Sequence, residues 1–239
     1  MKSDTEISLF QREWHSYQWV INNNVMGHKE LLSEAREILE QTFVSHPVSM
    51  MDLGCGDSSL IPQLVSNLNL THYTGIDLAE NVLKIATENL ATLNTPYSFH
   101  CSNLFTTTPR DMPRPNLVYS AYAIHHGQKE DKRQLLQTLF QLLQPEGCLL
   151  IIDTVRKPSQ QRKAYMSEVS RYFSNAIDNH EVLTSMLDHV QNFDFPEHES
   201  TLMEFATNAG WKLLHQRQLT HLPGFSATLL FFQKPDSEY

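Results

Sequence analysis

Apolar positions follow two rhythms along this chain. Short stretches rich in apolar residues at 48–53, 73–77, 97–101, 116–126 and 148–153 read as strands. Between them, apolar residues recur every three or four positions, as in Leu31, Leu32, Ala35, Ile38 and Leu39, or Leu60, Ile61, Leu64, Val65 and Leu68, or Leu135, Leu136, Leu139, Phe140 and Leu143. That spacing places one face of a helix on a core. Strand and helix alternating in this way predict an α/β fold around a parallel sheet. Residues 1–11 are polar and expected to fray. Residues 12–43 predict two helical pieces split at Asn22–Asn24 and ended by His46-Pro47. Three prolines (Pro109, Pro113, Pro115) predict a loop over 104–115. Residues 156–200 predict a helical insertion, with helices near 159–173 and 179–190 and an extended link at Phe193-Asp-Phe-Pro196. A helix over 202–209, stopped by Gly210, then leads to strands at 211–219 and 226–233 joined through Leu222-Pro-Gly224.

The chain has 239 residues, 41% of them hydrophobic, enough for one domain with an insertion. We divide that single domain (1–239) into an N-terminal helical cap (12–43), a ligand-binding core (46–155), the insertion (156–200) and a closing helix and strands (201–233). The formal charge of −9 lacks the broad basic footprint of a DNA or RNA binder, so no DNA partner is expected. Cys55, Cys101 and Cys148 show no CxxC spacing, which predicts reduced thiols in a cytoplasmic protein. No apolar run approaches the ~18 residues that span a bilayer, and no signal-peptide pattern opens the chain, so no membrane partner is expected.

The most informative stretch is Asp52-Leu-Gly54-Cys55-Gly56, directly after the first core strand. Two glycines there permit a tight turn and a close backbone approach to a ligand. Asp77 closes the next strand, 21 residues after Gly56, where a carboxylate suits a ribose diol. The pair predicts a nucleoside-containing cofactor. A dinucleotide is the weaker choice, because Ser59 stands where the third glycine of Gly-x-Gly-x-x-Gly belongs.

With Ser102-Asn103 after the third strand, Asn116–His126 as the fourth and the turn Gln144-Pro-Glu-Gly147 before the fifth, the order of motifs over about residues 46–155 resembles the class I, Rossmann-like methyltransferases that use S-adenosylmethionine. The resemblance implies a doubly wound, seven-stranded, mostly parallel sheet with an antiparallel last strand. It also implies S-adenosylmethionine as cofactor and S-adenosylhomocysteine as product. By position it assigns the cofactor to Asp52, Gly54, Cys55, Gly56, Asp77, Leu78, Ser102, Asn103, Leu104 and Tyr119. Three positions depart from the family pattern. Asn103 stands where an Asp often meets the adenine amine, and its amide oxygen can accept the same hydrogen bond. Asn116 replaces an Asp at the start of the fourth strand, and Glu146 replaces a glycine of the turn.

Methyl transfer from a sulfonium needs the nucleophile held in line with the methyl carbon, and a base only where the acceptor carries a proton. Ligands in such sheets lie beyond the carboxyl ends of the strands. The end of the fourth strand carries His125 and His126. On a strand the two would point apart, so one is expected to face the methyl group, and His126 is favoured. Tyr17, Asn24, Met26 and His28 are expected to form a lid, with Tyr122 on the substrate wall. The expected acceptor is a small molecule methylated at oxygen or nitrogen, by a monomer or homodimer. Methylation of a protein, a carrier-bound acid or RNA, a non-catalytic binding module and a nicotinamide oxidoreductase are the alternatives. No metal site is expected: HExxH is absent, and His180 and His189 would fall on opposite faces of a helix. Arg156, Lys157, Arg162, Lys163 and Arg171 form the one local basic cluster, read as a solvated face or as a site for a substrate carboxylate or phosphate.

Overall fold

In the computed structural model, which describes residues 14–106, 114–219 and 221–236, the predicted alternation builds one seven-stranded sheet with helices on both faces. Helix α1 includes residues 14–22, and α2 is His28–Thr42. Strand β1 (Pro47–Leu53) leads through α3 (Ile61–Leu64) to β2 (Asn69–Asp77), α4 (Glu80–Asn89), β3 (Tyr97–Cys101) and β4 (Leu117–Ala121). Helix α5 (Lys129–Leu142) and β5 (Cys148–Thr154) precede the inserted α6 (Arg162–Ala176) and α7 (His180–Phe193). The chain closes with α8 (Glu199–Ala209), β6 (Lys212–Leu219) and β7 (Ala227–Gln233). The strand order is β3-β2-β1-β4-β5-β7-β6. The first five strands run parallel, and β7 is antiparallel to β5 and β6.

Side chains alternate across a strand, so each central strand feeds two cores. Val48 and Met50 of β1 pack with Leu31, Leu39 and Tyr73, while Met51 and Leu53 pack with Ile76, Val118 and Leu136. In β5, Leu150 and Ile152 face the first core, and Leu149 and Ile151 the second. The first core receives the N-terminal helices and the insertion; the second receives α5 and α8. Trp211 pins those last two helices together by donating its indole N–H to Leu136 O at 3.0 Å.

Several boundaries differ from expectation. Strand β4 ends at Ala121 rather than at His126, because Tyr122 takes a positive φ of 52° and Ile124–His126 coil into a 3₁₀ turn. The helix expected over 60–68 is the single turn α3: Val65 N closes on Ile61 O, Leu68 N makes a tighter turn on Val65 O, and Asn69 already pairs with Pro47. Helix α6 starts later than expected, after Ser159 at φ 60°. Helix α7 runs on to Phe193, its start set by Asn179 Oδ1 accepting from the Glu181 and Val182 amides. The Asn116 amide ties the start of β4 to β1 by accepting from Ser49 N and donating to Pro47 O. Residues 1–11 and most of the proline loop (107–113) lie outside the described residues.

Three residues of the basic cluster, Arg156, Lys157 and Arg162, make internal contacts. Arg162 donates to Asp194 O and Gln191 O and lies over the Phe195 ring. Arg156 donates to Pro196 O and Gln160 O, and Lys157 pairs with Glu168. Together they hold the link after α7 against the sheet. The cap is tied down too: Tyr122 OH donates to Met26 O and Tyr172 OH to Val25 O, each at 2.5 Å.

Candidate active site

One continuous cavity opens at the carboxyl ends of β1, β2, β3 and β4 and runs beneath α1 to the inserted helices. At its first end Gly54 and Gly56 hold positive φ (72° and 52°), conformations that favour glycine. A Cβ on Gly54 would lie 2.3 Å from Ala123 Cβ, and one on Gly56 2.8 Å from the Trp14 ring. The Gly54 and Cys55 amides bond Ile76 O, which folds the loop over the end of β2. There Asp77 Oδ2 accepts the Gly56 amide at 2.9 Å and Oδ1 the Ala79 amide at 2.9 Å.

Asp52, Cys55, Leu78, Ser102, Asn103, Leu104 and Tyr119 all line this end, with both glycines and Asp77. Asp52 is buried, with Tyr73 OH donating to it at 2.8 Å. Burial pushes its carboxyl up to about 7, against the lowering effect of that hydrogen bond. Asn103 Oδ1 accepts the Phe105 amide at 2.9 Å, which sets the turn after β3. Tyr17, Met26, His28 and Tyr122 line the cavity from the cap side. Tyr17 OH lies 3.4 Å from His28 Nε2. Burial lowers His28 to about 4, which keeps it neutral near pH 7. Burial raises the Tyr17 hydroxyl, and Asp153, Asp57, Asp194 and Asp77 add to that rise, so the cavity is ringed by acids. Asn24 bonds Glu30 and the Lys29 amide instead of facing the cavity.

The other end carries both histidines. The 3₁₀ turn brings His125 and His126 onto the same wall, ring centroids 4.0 Å apart, so the expectation that they diverge is corrected. His125 is held on every side. Its amide donates to Asp153 Oδ2 at 2.8 Å, its Nδ1 lies 2.5 Å from Asp153 Oδ1, and its carbonyl accepts the Phe195 amide. Burial pulls His125 down, but Asp153 and Asp194 outweigh it and hold the imidazole up to about 9. Burial and the neighbouring His125 push His126 well below the ordinary histidine range. Burial opposes ionisation of Asp194, yet His125 and His126 hold its carboxyl well below the usual range.

Sequence reasoning missed Asp194 and His189, which complete this wall, and Tyr165, Phe173 and Phe225, which make its apolar surroundings. Asp194 lies 3.4 Å from both His125 Nε2 and His126 Nδ1. His189 meets His126 edge to face at 5.1 Å between centroids. The Phe193-Asp-Phe-Pro196 link was legible as an extended stretch; its meeting with the 125–126 turn was not.

Residues 50–147 match a family model described as a methyltransferase domain. Together with the strand order and the loop motifs, this makes the chain similar to the class I, Rossmann-like methyltransferases. Among relatives, the demethylmenaquinone methyltransferase of Listeria welshimeri is 25% identical over 242 residues, covering 98% of each chain. The phosphoethanolamine N-methyltransferase of Plasmodium falciparum is 27% identical over 139 residues, 57% of this chain and 50% of that one. Among solved structures, the magnesium protoporphyrin IX methyltransferase of Synechocystis PCC 6803 with bound S-adenosylhomocysteine superposes with a TM-score of 0.61. The match covers 87% of this chain and 83% of that one at 15% identity, a likeness of fold.

Proposed function

We propose that the chain is an S-adenosylmethionine-dependent methyltransferase acting at oxygen or nitrogen of a small molecule, in the cytoplasm, as a monomer or homodimer. The observation that carries this reading is the single cavity joining the Gly54–Gly56 loop and Asp77 to the His125–His126 wall. The residues present fit the cofactor. The glycines leave a cradle that a Cβ would fill. The Trp14 Nε1 donor is buried without a partner against Gly56, placed for a carboxylate. When bound, S-adenosylmethionine supplies an electrophilic methyl group on a cationic sulfonium. Asp77 accepts the ribose hydroxyls, Asn103 the adenine amine, and Leu78 and Leu104 cover apolar ring faces. Cys55, Ser102 and Tyr119 complete the walls.

The acids around the cavity favour a cationic ligand over an anionic dinucleotide. Tyr17, Met26 and His28 close over the reacting centre and exclude water. The acceptor's nucleophile sits at the His125–His126 wall, its apolar body against Tyr165, Phe173 and Phe225. This end is enclosed by buried side chains, which supports a small molecule over a protein or RNA acceptor. A proton lost by the acceptor would leave through that polar wall, where His126 is the favoured group to handle it.

Calorimetric titration of the full chain with S-adenosylmethionine, S-adenosylhomocysteine and NAD tests the reading. Micromolar binding of the first two and none of NAD is expected. Preference for NAD would overturn it.

A further inference from the structure

Asp194 Oδ1 is buried and makes no hydrogen bond. Yet three imidazole nitrogens surround it: His125 Nε2 at 3.4 Å, His126 Nδ1 at 3.4 Å and His189 Nε2 at 3.7 Å. A buried carboxylate oxygen without a hydrogen bond is costly, so its surroundings call for a partner. His125, His126 and Asp194 place one ligand-type atom each within 4.8 Å of one another. Ligands held tetrahedrally at about 2.0–2.1 Å from a zinc ion stand roughly 3.3–3.4 Å apart. The two 3.4 Å spacings fit that geometry.

The surroundings of His125 point the same way. A carboxylate can only accept, so at 2.5 Å from Asp153 His125 Nδ1 carries a proton. A metal ion would take the place of the second proton, at Nε2, which faces Asp194. A carboxylate gripping the far nitrogen of an imidazole is the usual support of a metal-binding histidine. Asp153 is itself fixed by the His125 and Thr154 amides. His126 Nδ1 faces Asp194 and also lies 3.2 Å from Phe193 O, an interaction that metal binding would replace.

We propose that His125 Nε2, His126 Nδ1 and Asp194 bind one divalent first-row transition metal ion, zinc or a similar ion, on the wall of the cavity. Two imidazoles and one carboxylate suit such ions and leave a coordination position open. His189 stands beside that position. If the cavity is the acceptor pocket, as proposed above, the open position selects acceptors with a phenolic or enolic hydroxyl. Coordination lowers the hydroxyl's pKa, and its proton passes to solvent. The oxygen lone pair then forms the O–CH₃ bond, while the C–S bond breaks with its electron pair retained by sulfur.

The test uses the full chain, stripped with a chelator and titrated with Zn²⁺ by calorimetry and with Co²⁺ by visible absorption. One ion per chain is expected, with the intense Co²⁺ bands of a four- or five-coordinate site. Asp194→Asn and His126→Gln should each weaken binding at least tenfold (about 1.4 kcal/mol). Absence of stoichiometric binding by the natural chain would overturn the site, as would unchanged affinity in folded Asp194→Asn protein. If neither variant folds, the Co²⁺ spectrum of the natural chain decides alone: octahedral, weakly absorbing Co²⁺ overturns the proposal. S-adenosylmethionine affinity, measured on the same stripped samples, separates failure of the metal site from failure of the methyltransferase reading.

Discussion

Asp77 and Gly56 are joined directly: the carboxylate at the end of β2 accepts the glycine amide at 2.9 Å. The acid and the glycine loop are thus one unit, and the same carboxylate also holds the Ala79 amide that opens α4. A group that sets the loop and, in the proposed function, would accept the ribose hydroxyls should be costly to remove.

Asp77→Ala is therefore expected to weaken S-adenosylmethionine binding by at least about tenfold, since hydrogen bonds to a charged group contribute ~1.5–3 kcal/mol each. Asp77→Asn keeps an acceptor oxygen and should fall between. Calorimetry checks both, and unchanged affinity in the alanine variant would remove Asp77 from the site.

Gly56→Val combines an unfavourable positive φ with contact on the Trp14 ring. The backbone term alone is ~1–2 kcal/mol. The expected result is loss of cofactor affinity with a smaller change in thermal midpoint, because the loop lies at the cavity and not in either core.

His126→Ala is expected to lower methyl transfer by ~10²-fold or more, a typical effect of losing a group that promotes deprotonation of the acceptor. Cofactor affinity should change little. The assay is methyl transfer to an acceptor found by screening phenols, small acids and amines. Equal losses in turnover and cofactor binding would make His126 a cofactor-pocket residue instead.

Asp52 predicts a pH dependence of stability. Its carboxyl ionises near 3.8 in the unfolded chain and is pushed up to about 7 by burial in the native one. Between those values the unfolded chain has released a proton that the native chain retains. Stability from this group is therefore full at low pH and is lost as pH rises through the window, by up to about 1.4 kcal/mol per pH unit. Asp52→Asn, which can still accept from Tyr73, should flatten that part of the profile. Urea midpoints at about pH 5 and about pH 7 measure it; equal slopes in both proteins would show that Asp52 does not titrate there.

The sequence made the glycine-loop end of the cavity legible. Its signals are local: a strand running into Asp52-x-Gly54-x-Gly56, and an acid at the next strand end, where backbone conformation restricts which residues fit. Strands buried on both faces stand out as apolar runs, so their order could be read as well. The shortened α3 was less visible, because apolar spacing over 60–68 continues past the point where β2 must start pairing.

The histidine end of the cavity needed the tertiary structure. His125, Asp153, His189 and Asp194 belong to a 3₁₀ turn, a strand, a helix and a link, brought together by contacts across the sheet and insertion. The sequence reading gave the two histidines opposite directions because it extended β4 through them, and one positive φ at Tyr122 was enough to change that. By itself the sequence determined the alternation of strands and helices, the glycine loop and the acid at the next strand end, through short-range rules of periodicity and backbone sterics. Which buried polar groups face one another was decided only by the folded chain, because that depends on how the insertion packs back over the sheet.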